Sequence, residues 1–135
     1  MTKILLIDND SINNFVIQRL VKRSSFGVSI RVDICFDERE ATNYIQNAFQ
    51  QTEELLPDMI LLDLAIVNAE LFLSKFDEMS VSINKKIKLY LTSWSINPEE
   101  HIQISKYSCV TGLAPKPLYA EHLEQMLAEL IGIAQ

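Results

Sequence analysis

The stretch ILLIDND at residues 4–10 joins four apolar residues to Asp8, Asn9 and Asp10. An apolar run this short predicts a buried β-strand, because an amphipathic helix or a membrane span would be longer. Two carboxylates placed directly after such a run can hold a metal, attack a phosphate or cap the next helix. The stretch therefore predicts a strand that ends at a candidate site.

Short apolar runs recur along the rest of the chain, separated by segments long enough for crossover helices. With the first, they are KILLI (3–7), VSIRVDIC (28–35), DMILLD (58–63), IKLYLT (87–92) and CVTGLA (109–114). Four of the five are short, mainly apolar and rich in strand-forming residues, which is typical of parallel strands covered on both faces. VSIRVDIC alternates polar and apolar residues, and we expect it to be an edge strand.

The segments between the apolar runs have helical periodicity. They predict helices near residues 11–24, 37–51, 68–79, 97–106 and 118–131. In the first helix one apolar face is formed by Ile12, Phe15, Val16 and Leu20. Asp10 or Ser11 is expected to cap that helix, and Asn97-Pro98 supplies the N-cap and first residue of the fourth helix.

Five β units that alternate with five α units predict an α/β protein with an open parallel sheet. The rules for handedness and connections favour strand order 2-1-3-4-5, a flavodoxin-like (βα)5 three-layer sandwich. We expect residues 1–135 to form a single domain. This order places Cys35 and Cys109 on opposite edges of the sheet, which excludes a disulfide between them.

The charge of the chain limits its partners. The formal net charge is −6 and the pI is about 4.8, with no block rich in lysine and arginine. Nucleic acid and anionic lipid surfaces are therefore not expected ligands. No run approaches the ~20 apolar residues of a membrane span, and we expect the protein to be cytoplasmic.

The carboxyl ends of parallel strands meet at one edge of the sheet, where such folds bind ligands. Four segments bring polar residues to that edge: Asp8-Asn9-Asp10, Asp63, Thr92-Ser93 and Lys116. Carboxylates, a hydroxyl and a lysine together suit a hard divalent cation and a phosphoryl group. Asp10, which directly precedes a helix, is the expected N-cap rather than a ligand.

The combination ILLIDND (4–10), PDMILLD (57–63), LYLTS (89–93) and APKP (114–117) resembles the response-regulator receiver domain of two-component signalling, over essentially the whole chain. The resemblance implies that Asp63 accepts a phosphoryl group, that Thr92 turns toward it and that Lys116 contacts it. It also implies a bound Mg²⁺. The implied metal ligands are Asp8, Asn9, Asp63 and the backbone carbonyl of Ala65.

The chain departs from the family's pattern around that site. Asn9 stands where receivers place a second acid, so we expect weaker Mg²⁺ binding. The segment 64–70 lacks the family's proline and glycine, which predicts a displaced loop. Leu113 replaces an aromatic residue that the family often uses as part of its switch, and Trp94 is expected to shield an acyl phosphate from water.

The expected function is therefore that of a stand-alone signalling switch rather than an enzyme. A sensor histidine kinase or a phosphotransfer protein would phosphorylate Asp63, and output would pass to another protein through the fourth helix, fifth strand and fifth helix. Because the chain ends at Gln135, no output domain is expected to follow.

Two alternatives remain open at this stage. The first is a receiver-like interaction module that works without phosphate, consistent with Asn9 and the altered loop. The second, more remote, is a haloacid-dehalogenase-like phosphatase with Asp8 as nucleophile and Asp10 as general acid, although late paired acids and a cap are lacking. A flavin site is disfavoured because no glycine-rich loop follows the first strand.

Overall fold

Strands and helices alternate along the chain in the computed structural model, which describes residues 1–95 and 97–132. Ile96 and residues 133–135 of the expected 1–135 domain lie outside this description. The strands are β1 (Thr2–Ile7), β2 (Ile30–Cys35), β3 (Met59–Asp63), β4 (Lys88–Ser93) and β5 (Val110–Pro115). The α-helices are α1 (Ser11–Arg23), α2 (Glu38–Gln51), α3 (Ala69–Ser80), α4 (Pro98–Ser105) and α5 (Ala120–Ile131). Two short 3₁₀ turns precede β2 and β3, at Gly27–Ser29 and Glu53–Leu55.

The strands form one parallel sheet in the order β2-β1-β3-β4-β5, which confirms the predicted topology. β2 lies at an edge of the sheet, as its alternating pattern predicted. Cys35 ends β2 and Cys109 immediately precedes β5 at the opposite edge, and both are free thiols. The parallel arrangement brings the ends of β1, β3 and β4 to one edge, where the candidate site residues follow.

Helices cover both faces of the sheet and give the predicted three layers. Successive side chains of β1 point to opposite faces of the sheet. Leu5 and Ile7 pack in a cluster with α2, α3 and Ile104 of α4. Ile4 and Leu6 pack in a second cluster, on the other face, with α1 and α5. In the first cluster the rings of Phe72 and Phe76 stack with centroids 5.9 Å apart. Burial of these two apolar faces is the main stabilising contribution to the fold.

The apolar face predicted for α1 is wrong at three of its four residues, whereas the fourth, Leu20, is partly buried and packs against the core on the α1 and α5 side of the sheet. Ile12, Phe15 and Val16 are exposed, while the buried positions of the helix are Asn14, Ile17 and Val21. The rotation of the helix is fixed at its start, where the Asp10 side chain accepts hydrogen bonds from the backbone N–H groups of residues 12 and 13. These contacts confirm Asp10 as the N-cap, and with Asn14 they outweigh the hydrophobic stripe in orienting the helix.

The expectation that CVTGLA is covered on both faces is also wrong, because β5 forms the other edge of the sheet. Its residues are mostly half-buried, and Thr111 is exposed. The β4–β5 register is irregular between Leu89 and Tyr90, where the backbone N–H of Leu89 donates to Thr111 Oγ1 at 3.0 Å. The predicted order already places β5 at an edge, where no further strand pairs with its outer side.

The fourth helix begins as predicted. The side chain of Asn97 accepts a hydrogen bond from the Glu100 backbone N–H at 2.8 Å, and Pro98 is the first helical residue. Among the described residues, no helix combines the length and the apolar character that crossing a membrane requires.

Candidate functional site

Two of the candidate residues are held by backbone hydrogen bonds that continue the sheet beyond the strands. The N–H of Asp8 donates to the carbonyl of Cys35 at 3.0 Å, and the N–H of Lys116 donates to the carbonyl of Ser93 at 2.9 Å. Asp63 is itself the last residue of β3. The side chains therefore start from rigid backbone, which is the arrangement that positions functional groups accurately.

Lys116 bridges the two acids that end β1 and β3. Its Nζ lies 2.8 Å from Asp8 Oδ2 and 3.1 Å from Asp63 Oδ2. The three side chains are 3–5% exposed, so their charges are held almost entirely within the protein. The structure thus confirms that these strand ends converge, and it makes Lys116 the centre of a buried ion-pair triad. The peptide bond that follows, to Pro117, is cis.

Two asparagines on α1 complete the surroundings of Asp8. Asn13 Nδ2 donates to Asp8 Oδ2 at 3.0 Å, and Asn14 Nδ2 donates to the Asp8 backbone oxygen at 2.9 Å. The N–H of Asp10 donates to Asp8 Oδ1 at 2.9 Å. The sequence reasoning missed both asparagines, although two adjacent residues of low helix propensity in the first turns of a helix are a signal of such a role.

The pKa values in the triad reflect burial and shared charge. Burial raises the pKa of Asp63 above its ordinary value, and the charge of Asp8 adds to the rise. The hydrogen bond from the Ala65 N–H and the contact with Lys116 oppose it without cancelling it. Burial alone would lower the pKa of Lys116, but its bonds to two carboxylates outweigh this and raise it. Lys116 is thus held firmly in its charged form, whereas Asp63 shares one cation with a second acid.

Thr92 and Trp94 border the triad from β4. Thr92 pairs with Asp63 across the β3–β4 ladder, and its buried hydroxyl is 3.4 Å from the carbonyl oxygen of Leu62, a long contact. Lys116 Nζ lies 5.7 Å from the centre of the Trp94 ring, which is within range of a cation–π interaction. Trp94 is 62% exposed, so its ring borders the site at the surface of the protein.

The segment after Asp63 forms an ordered turn. The backbone N–H of Ala65 donates to Asp63 Oδ1 at 3.0 Å, and buried Ile66 anchors the turn to the core. Asn68 has φ 62°, a left-handed conformation that asparagine tolerates better than most residues other than glycine. Asn68 therefore supplies the backbone conformation needed to enter α3 without a glycine.

The residue that replaces the switch aromatic is an aliphatic packing residue. Leu113 is half-buried on β5, where it pairs with Leu91 and packs against the core on the α2 and α3 side of the sheet. It lies on the strand that leads to Lys116 and contributes no polar group to the triad.

The donor chemistry around the triad fits a hard divalent cation, with less charge than a three-acid set would supply. The described residues hold no cluster of three or more His, Cys, Asp or Glu side chains suited to a metal. Asp8 and Asp63 are the two carboxylates, so further ligands must be neutral oxygens. Asn9 and Ala65, the other ligands that the resemblance implies, are both exposed beside them. Mg²⁺ accepts few protein ligands because it keeps several waters.

Solved structures with this fold cover nearly the whole chain. A two-component response regulator from Legionella pneumophila is 18% identical, with a TM-score of 0.82, covering 98% of this chain and 100% of that one. The phosphorylated cyanobacterial phytochrome response regulator RcpA is 21% identical, with a TM-score of 0.77 and coverage of 99% and 96%. A CheY-like response regulator receiver domain protein from Methanospirillum hungatei is 16% identical, with a TM-score of 0.75 and coverage of 98% and 95%.

These likenesses show the fold: the chain has the architecture of response-regulator receiver domains, as its sequence resemblance implied. No protein-family model matches the sequence, and a search of curated proteins finds no relative. Because the identities are low, an activity for this chain rests on its own site residues.

Proposed function

We propose that this protein is a signalling switch that accepts a phosphoryl group on Asp63 from a sensor histidine kinase or a phosphotransfer protein. The observation that carries the proposal is the triad, in which buried Lys116 contacts both Asp8 and Asp63 at the ligand-binding edge of the sheet. The structural neighbours, which are response regulators, support the same general function. The switch is a signalling domain rather than an enzyme that turns over a metabolite.

The proposed step is a transfer from a phosphohistidine. A carboxylate oxygen of Asp63 attacks phosphorus, the P–N bond to the imidazole breaks, and the imidazole leaves with the electron pair and takes a proton. Lys116 is 3.1 Å from Asp63 Oδ2 and is placed to neutralise charge on the transferring oxygens. Thr92, opposite Asp63 in the ladder, would donate a hydrogen bond to the new phosphoryl group.

Mg²⁺, held by Asp8, Asp63, the Asn9 amide oxygen and the Ala65 carbonyl, would supply further positive charge to the phosphoryl oxygens. Asn9 brings no charge to this set, so the chain relies on Lys116 for more of the neutralisation than a chain with a second acid would. The function therefore requires Lys116 more strictly than it requires tight metal binding.

Phosphorylation would act as a population shift that Thr92 and Lys116 transmit to the neighbouring surface. We propose that the partner binds the face formed by α4, β5 and α5. Large apolar side chains are exposed there, with Ile102 72% and Tyr119 67% accessible. The proposed phosphodonors imply a cytoplasmic location.

Phosphotransfer from a small donor tests the proposal directly. The protein is incubated with Mg²⁺ and phosphoramidate, whose P–N bond resembles that of phosphohistidine, and the intact mass is followed. We expect a gain of one phosphoryl group, located on Asp63 by borohydride trapping and peptide mapping. The gain should disappear in Asp63→Asn and persist in Asp58→Asn, a matched control at the opposite end of the same strand. A fluorescence change of Trp94 should accompany it.

The alternatives predict different outcomes of the same experiment. A phosphate-independent interaction module would show no mass gain with phosphoramidate or with acetyl phosphate, and no response to beryllofluoride. A phosphatase of the haloacid-dehalogenase type would carry the trapped group on Asp8. Either result would refute phosphorylation of Asp63.

A further inference from the structure

One buried polar atom near the triad lacks a partner. Asn14 is only 2% exposed, and among the described residues its Oδ1 accepts no hydrogen bond. Its orientation is fixed, because Asn14 Nδ2 donates to the Asp8 backbone oxygen at 2.9 Å. Exchanging the two amide atoms would place two acceptors against each other. Asn14 Oδ1 must therefore face away from the Asp8 carbonyl, with a lone pair in need of a donor.

Leaving such an acceptor unpaired is costly. A buried polar group without a hydrogen bond destabilises a fold by about 1–3 kcal/mol, and nearly all such groups in proteins have a partner. The chain could have avoided this cost with a leucine at residue 14, on the buried face beside Ile17 and Val21. The amide oxygen at this position is therefore expected to meet a donor, and none of the described residues lies within hydrogen-bond distance to supply one.

Asn14 borders a small, partly open cavity that Asp8 and Lys116 of the triad also line. The cavity has a volume of about 10 Å³, and its other polar neighbours are Asp8, Asn13, Thr92 and Lys116. Three aliphatic side chains, from β1, α1 and β3, close it from the core. A site for one water molecule needs about 10–15 Å³ and two to four polar partners. The cavity meets the lower limit of size and exceeds the requirement for partners.

The donors and acceptors around the cavity suit water rather than a cation. Lys116 has three N–H donors, two of which point to Asp8 and Asp63, so one remains for a further acceptor. The Thr92 hydroxyl has lone pairs to offer, and its present contact to Leu62 is long. The ammonium of Lys116 would repel a metal ion at this place. A water can accept from Lys116 and donate to both Asn14 Oδ1 and Thr92 Oγ1.

We propose that this cavity binds one water molecule that hydrogen-bonds Asn14, Thr92 and Lys116 and so ties α1 to β4 and to the end of β5. The water satisfies the unpartnered oxygen and gives the Thr92 hydroxyl a second contact inside the protein. This role does not depend on phosphorylation of Asp63. It explains why a polar residue of low helix propensity occupies a buried position on α1.

A high-resolution crystal structure of the wild-type protein tests the site. We expect one ordered water within about 3.2 Å of Asn14 Oδ1 and of at least one atom of Thr92 or Lys116. A dry cavity in which the Thr92 hydroxyl or Lys116 bonds Asn14 Oδ1 directly would overturn the proposal. Density for a metal ion there would overturn it as well.

A solution measurement supplies an independent readout. Oxygen-17 magnetic relaxation dispersion counts waters that exchange slowly with the solvent, and Asn14→Leu should lose one relative to wild type. Asn43→Leu, at an exposed position of α2, is the matched control for a change of helix propensity and should keep the wild-type number. An unchanged number in folded Asn14→Leu would contradict the proposal. If that variant does not fold, the wild-type crystal structure still decides between a water and a direct contact.

Discussion

Replacing Lys116 with methionine removes the cation that contacts both Asp8 and Asp63 and keeps most of its apolar stem. Both carboxylates are at most 5% exposed on their side chains, so solvent cannot replace the lost charge. Breaking a buried ion pair by removing one partner costs about 3–5 kcal/mol. We expect the free energy of unfolding at pH 7 to fall by about that amount. This corresponds to a midpoint temperature of thermal unfolding that is lower by roughly 10–20 °C.

The pH dependence of this loss follows from the sign of the pKa shift. Asp63 has a pKa of 3.8 in the unfolded chain and a raised pKa in the folded one, so the native state binds its proton more tightly. The stability that this group costs is therefore recovered as the pH falls through the folded-state pKa toward the unfolded value. Without Lys116, which opposes the rise, the folded-state pKa of Asp63 lies higher still. The deficit of the variant should therefore shrink as the pH falls.

Urea unfolding followed by circular dichroism between pH 5 and 8 measures both quantities. Lys106→Met is the matched control, because Lys106 forms its ion pair with Glu70 at a largely exposed position. That variant should stay within about 0.5 kcal/mol of wild type. If Lys116→Met loses less than about 1 kcal/mol, or its deficit grows as the pH falls, the buried triad does not behave as described.

Three further changes address the metal, the acyl phosphate and the core. Asn9→Asp should tighten Mg²⁺ binding about tenfold by restoring a charge beside Asp8, as measured by calorimetry, and an unchanged affinity would contradict the assigned ligand position. Trp94→Ala should shorten the lifetime of the phosphorylated protein several-fold in a mass-spectrometric time course, because the bulky ring beside Lys116 would no longer keep water from the acyl phosphate; an equal lifetime would refute shielding. Ile17→Ala should cost about 2–5 kcal/mol in urea unfolding, since Ile17 is buried, whereas Phe15→Ala should cost less than about 0.5 kcal/mol. Equal losses of stability would mean that Phe15 is buried, as the sequence predicted.

Much of the fold could be predicted because short apolar runs in the sequence identify the strands of the sheet. The mainly apolar runs that form β1, β3 and β4 lie at the centre of the sheet, where a parallel strand is covered by helices on both faces. Connection rules then left few alternatives to the observed strand order. The pattern failed at β5, because a short apolar run does not by itself show how fully helices will cover the two faces of a strand.

The rotation of α1 and the asparagine contacts could not be read in the same way. The stripe through Ile12 and Phe15 is the more hydrophobic face, yet tertiary hydrogen bonds turn Asn14 inward. Those bonds involve the end of β1, and their geometry depends on how the strand and the helix meet. Asp8, Asp63 and Lys116 could be predicted from their positions at strand ends, because the topology of the sheet brings these ends together. The role of Asn13 could not, because it depends on the distance between its side chain and Asp8 Oδ2.

The charge of the site explains how this chain can tolerate Asn9. Asp8, Asp63 and Lys116 together carry a net charge of −1, and an acid at residue 9 would make the net charge of the site −2. With two buried carboxylates and one buried ammonium, the site is close to balance without a metal, and hydrogen bonds from Asn13 and the Ala65 N–H stabilise the remaining charge. A site of charge −2 would gain more from Mg²⁺ and would be less stable without it. The Asn9→Asp variant should therefore bind Mg²⁺ more tightly than wild type. In the presence of a chelator it should also be less stable than wild type. The uncharged control Asn9→Ser, at the same exposed position, should produce neither change.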